Sequence, residues 1–66
     1  LQRAIVHGGY KLIVYPTANV VRLYHLAQDP EETRDLANDS GHQRVRQGLE
    51  ERLRRLQQTM DDPLVR

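Results

Sequence analysis

Apolar positions along this chain follow two different periods. Between residues 3 and 26 they fall in short β-branched and aromatic runs separated by turn residues, and from Val45 onward they recur every three or four residues. Tyr10 to Tyr15 (YKLIVY) is the strongest strand candidate, because aromatic and β-branched side chains suit a pleated surface and no breaker interrupts it. Tyr10, Leu12 and Val14 share one of its faces, and Lys11, Ile13 and Tyr15 share the other. Both faces are largely apolar, which predicts a central strand covered on both sides. Arg3 to His7 (RAIVH) reads as a partner strand, joined to it by Gly8-Gly9, a pair that tolerates the positive φ of a two-residue hairpin turn. Pro16-Thr17-Ala18-Asn19 ends the central strand, since proline cannot donate to a ladder and asparagine favours turns. Val20 to Leu26 is the return strand, so residues 1–26 read as a three-stranded antiparallel meander.

Two helical segments are predicted beyond the meander. Asp29-Pro30-Glu31-Glu32 has the form of a helix start, with a capping acid, a proline at the first position and acids facing the dipole, which predicts a short helix over 29–37 anchored by Leu36. Ser40 then opens a long helix over 41–60, with Gln43 three residues on as capping-box partner. In it Val45, Leu49, Leu53, Leu56 and Met60 follow one another at separations of 4, 4, 3 and 4 residues. At 100° per residue they span an arc of about 80°, an amphipathic stripe. Glu50 with Arg54, and Glu51 with Arg55, are i, i+4 pairs in the favourable order. Gly48 interrupts this helix at a cost of about 1 kcal/mol relative to alanine. The fold class expected is α+β: a small antiparallel sheet with one face laid on the stripe of a single long C-terminal helix.

Length and composition add a constraint. A chain of 66 residues buries only about 60% of the surface that its unfolded form exposes. Domains this small usually gain stability from a disulfide, a metal or a partner. Cysteine is absent, and His7, His25 and His42 lack the short spacing of common metal sites. A partner surface is therefore expected, either a second copy forming a homo-oligomer or a larger parent protein; a first residue of Leu1 rather than methionine implies a chain that was processed or cut from something longer. Ten basic against nine acidic residues give no general signal for nucleic acid. The arginines of the long helix lack the interleaved aromatics of a base-stacking surface and read as a solvated face. No apolar run reaches the roughly 20 residues needed to span a bilayer, so neither nucleic acid nor membrane is an expected partner.

Lys11 and His7 are the two candidate substrate-binding residues. Lys11 stands in the central strand beside the Gly-Gly turn, where it could meet an anion, although a lysine there also snorkels or pairs with a carboxylate. His7 could line a pocket or carry a proton, but the sequence puts no carboxylate beside it. His25 is expected to pack or hydrogen-bond, and His42 to be solvated in the first helical turn. No residue is assigned as catalytic or metal-ligating.

The ordered set Gly9-Tyr10-Lys11-Leu12-Ile13, Leu23-Tyr24-His25-Leu26, Asp29-Pro30-x-Glu32, Leu36-Ala37 and a helix ending in Asp62-Pro63 resembles the C-terminal subdomain of the sulfatases, within the alkaline phosphatase superfamily. It departs from that pattern at His25, where aspartate is usual, at Asp35, where asparagine is common, and at Gln57 and Gln58, where an aromatic is frequent. The resemblance implies a non-catalytic subdomain that buttresses the catalytic domain of a sulfuric ester hydrolase and borders its substrate pocket. The family's chemistry uses a formylglycine, made from the first residue of a Cys/Ser-x-Pro-x-Arg motif, and a calcium ion. The motif is missing here: Ser40, the only serine, is followed by Gly41-His42-Gln43, so no cofactor is assigned to this chain. The alternative reading is a free-standing protein–protein interaction module that pairs through its sheet or its helix.

Overall fold

The computed structural model describes residues 2–60, with side chains through residue 58. Strands β1 (Arg3–His7), β2 (Tyr10–Tyr15) and β3 (Val20–His25) form one antiparallel sheet in the order β1-β2-β3. A 3-10 turn at Ser40–His42 leads into helix α1 (Gln43–Met60). This is the expected α+β architecture.

Both hairpins follow from their turn chemistry. Gly8 and Gly9 have φ of 61° and 83°, the left-handed values a two-residue primed turn demands. That turn places His7 opposite Tyr10 and Ile5 opposite Leu12. At the other end Asn19, with φ of 55°, closes the Pro16–Asn19 turn by donating its N–H to the Pro16 carbonyl. Leu12 consequently faces Leu23, and Ile13 faces Arg22.

One face of the sheet receives α1. Leu12 and Leu23, both fully buried, form a cluster with Leu36, Ala37, Leu49 and Leu53, and Ile5, Val14, Val21 and Val45 pack around it. The helical stripe works through Val45, Leu49 and Leu53, but Leu56 is 49% exposed. The side chain of Met60 and the Asp62-Pro63 stop lie outside the described residues. On the opposite face Ile13 and Tyr24 are buried without belonging to that cluster. Arg22 and Ala4 flank Ile13 in register, Lys11 flanks Tyr24, and the ion pairs Lys11–Glu32 and Arg22–Asp35 bring residues 32–35 to this side. No helix or strand among the described residues lies over it.

The predicted short helix over 29–37 does not form. Residues 26–39 are turns and extended backbone. Asp29 does cap, but at longer reach than in a helix start: its carboxylate accepts from the backbone N–H groups of Thr33 and Arg34 and from the Thr33 hydroxyl. Glu32 takes a φ of 57°, which breaks any helix there, and its carboxylate meets the Lys11 ammonium at 2.9 Å. Tertiary pairing has overridden the local helix signal.

The segment then seals an edge of the sheet. In the β2–β3 register Leu23 directs its N–H and carbonyl away from β2. The Leu23 N–H donates to the Asp35 carboxylate at 3.0 Å, and the Leu23 carbonyl accepts from the Leu36 N–H at 2.7 Å. The same Asp35 oxygen accepts from the Ala37 N–H. The next outward carbonyl, that of His25, accepts from Gln28 and Asp29.

The long helix begins on Asp39 rather than Ser40. Asp39 accepts from the Gly41 N–H, and the Gln43 amide donates to the Asp39 and Ala37 carbonyls. Arg46 donates to the same Ala37 carbonyl at 2.8 Å. Glu51 pairs with Arg55 as expected and also with Arg54, which leaves Glu50 to pair with Arg46.

Replacing Leu23 with alanine should cost about 2–5 kcal/mol, because the cavity cannot collapse between two packed layers. Leu56→Ala, on a half-exposed side chain, should cost well under about 1.5 kcal/mol. Urea denaturation followed by far-UV circular dichroism checks both, and equal losses would contradict the core assignment.

Candidate functional site

Strand alternation separates the two candidate residues. Lys11 projects from the sheet face opposite α1, where Glu32 holds its ammonium. His7 ends β1 and lines hollows beside the helix with Gly48 and Arg52. The structure therefore does not bring Lys11 and His7 together, and a carboxylate of the chain itself occupies the lysine.

A different polar cluster forms at the hairpin end of the sheet. The register sets Tyr10 opposite His25, and the two rings stack with centroids 4.3 Å apart and planes 15° from parallel. His42 meets the edge of Tyr10 at 6.1 Å. Its Nδ1 lies 2.5 Å from the Asp39 carboxylate, so His42 is half-buried and paired rather than solvated as expected. A hollow of about 290 Å³ opens beside this cluster, lined by His25, Gln28, Asp29, Thr33, Arg34 and His42 among others.

Its two carboxylates are held below the ordinary aspartate value of 3.8. For Asp29 the backbone N–H groups of Thr33 and Arg34 lead, followed by the Thr33 hydroxyl. For Asp39 the hydrogen bond from His42 is the main cause. The cluster can donate hydrogen bonds from imidazole and guanidinium groups to an anion or a carbonyl. The Thr33 hydroxyl donates to the Asp29 carboxylate at 2.8 Å. The stacked pair was legible once the two turns had set the register. The His42–Asp39 pair is an i, i+3 contact that only the Asp39 start of the helix creates.

Comparison with known proteins then bears on the origin of the fold. The family model described as N-sulphoglucosamine sulphohydrolase, C-terminal, matches residues 2–59. The chain belongs to this family. Searches of curated proteins and of solved structures returned no match.

Membership in the sulphohydrolase C-terminal family confirms the sulfatase resemblance. The formylglycine motif is missing from the sequence, and among the described residues no three His, Cys, Asp or Glu side chains converge to hold a metal ion. Among the described residues no helix is long and apolar enough to cross a membrane.

The two aspartates predict an acid response of known sign. A carboxyl with a folded pKa below its unfolded value adds stability above the unfolded value, and that contribution is lost as pH falls through the folded one. The urea midpoint should therefore decline as pH drops below about 4. The double variant Asp29→Asn/Asp39→Asn should start lower at neutral pH and decline less steeply in acid. An unchanged slope would assign the acid response to other groups.

Proposed function

We propose that this chain is a non-catalytic C-terminal unit of a sulfatase, acting as a buttress for the catalytic domain and bordering its substrate pocket. The family match over residues 2–59 carries this reading. The sequence agrees, since it lacks the motif from which the family's formylglycine is made. The sheet supplies a physical means of docking. Its face opposite α1 holds Ile13 and Tyr24 at the centre, with Val6 and Val20 exposed at 61% and 37%, and no described helix or strand covers it. A mixed apolar and charged surface of this kind matches the composition of interfaces between domains of one chain.

On this reading the purified 66 residues hydrolyse neither an aryl sulfate nor a sulfamate. Activity that persists through repurification would overturn it. In the longer sulfatase that the proposal requires, Val20→Glu should lower the melting temperature of the whole enzyme while leaving the isolated chain's unchanged. An equal effect on both would assign Val20 to the internal fold alone.

A further inference from the structure

The hollow at the hairpin end of the sheet holds donors that the fold leaves unused. Its volume of about 290 Å³ lies at the lower bound of small-ligand pockets, which run from roughly 300 to 1,000 Å³. Strand β3 supplies His25, the non-repetitive segment supplies Gln28, Thr33 and Arg34, and the 3-10 turn supplies His42. The side chains of His25, Gln28 and Arg34 have no hydrogen-bond partner among the described residues. Arg34 stands near enough to Asp39 to help keep that carboxylate ionised, yet forms no ion pair with it. The stack on Tyr10 holds the His25 ring in place, so a ligand need not order it.

The nearby carboxylates, by contrast, are already committed. Asp29 lines the hollow, but both of its oxygens accept from the backbone of Thr33 or Arg34 or from the Thr33 hydroxyl. Asp39 accepts from the Gly41 N–H and holds His42 by Nδ1, which leaves Nε2 as the free nitrogen of that ring. Helix α1 adds no charged side chain to the lining. One guanidinium against two carboxylates leaves a single net negative charge while both imidazoles are neutral, and a single net positive charge once both are protonated. An aspartate at position 25, as is usual in the sulfatase pattern, would put a third carboxylate here and keep the hollow net negative even in acid. The capacity described next therefore belongs to this chain, through His25, and not to the pattern it resembles.

We propose that this hollow is an acid-gated site for a tetrahedral oxyanion, a sulfate or phosphate group, held by His25, Arg34 and His42 with the Gln28 amide as a neutral donor. Hydrogen bonds from cationic donors to an anion are about twice as strong as neutral ones. Imidazoles as a class take up their proton near a pH of about 6.5, so the site fills as pH falls through that region and empties above it. The inference stands on the hollow alone and is independent of the sulfatase reading.

The test is an NMR titration of the ¹⁵N-labelled chain with sodium sulfate at pH about 5.5 and about 7.5, with sodium chloride holding the ionic strength constant. Sulfate is the probe because it is a dianion at both pH values, so only the protein changes. At the lower pH the ring signals of His25 and His42 and the amide of Arg34 should shift and saturate by about 20 mM sulfate. At the higher pH the affinity should fall about tenfold or more. His7, exposed on β1 and outside the hollow, is the internal control and should not move. Arg34→Gln, an exposed change, should weaken binding at the lower pH about three- to tenfold. His25→Asp should remove saturable binding; if that variant does not fold, Arg34→Gln carries the test. Methyl sulfate separates two sources of the anion: tighter binding of sulfate assigns the site to the free ion, tighter binding of methyl sulfate to an ester, and either upholds the site. The proposal is overturned by equal affinity at the two pH values, by matching shifts at His7, by unchanged affinity in Arg34→Gln, or by no saturation at about 20 mM sulfate.

Discussion

The hydrogen bonds between Leu23 and the Asp35–Leu36 pair are the constraint on which the rest of this structure depends. They fasten a non-repetitive segment to the outer edge of β3, and in doing so deliver Leu36 and Ala37 into the core between sheet and helix. The Ala37 carbonyl then accepts from Gln43 and Arg46, so the start of α1 is tied to the same point. Sheet, edge and helix are thus held through three consecutive residues. A single carboxylate oxygen of Asp35 serves both Leu23 and Ala37, which makes it the shared acceptor of the arrangement.

How much of this could be read in advance depends on the range of the interaction. The hairpins were legible because Gly8-Gly9 and Pro16–Asn19 impose their geometry locally and thereby set the register of every pair in the sheet. The long helix was legible from the spacing of Val45, Leu49 and Leu53. Residues 29–37 were not, because Asp29-Pro30-Glu31-Glu32 gives the same local signal whether or not Lys11 waits across the sheet to claim Glu32. Once it does, a left-handed residue replaces a helical turn.

The site shows the same division. Alternation along β1 and β2 already separates His7 from Lys11, and the register already stacks Tyr10 on His25. What no pattern announced was that Asp39 would take the first position of the helical segment from Ser40 and thereby acquire His42. Family membership, by contrast, was carried by an ordered series of short pieces that spans nearly the whole chain, and the match over residues 2–59 reflects that spread.

The sealed β3 edge bears on how far association can proceed. A sheet with two bare edges can add neighbours without limit, and that is the geometry of a growing fibril. Here the segment after β3 stands as a stopper at Leu23 and His25. At that edge growth is blocked by the chain's own backbone and by the Asp35 carboxylate. The residues that failed to form a helix thereby close one side of the sheet.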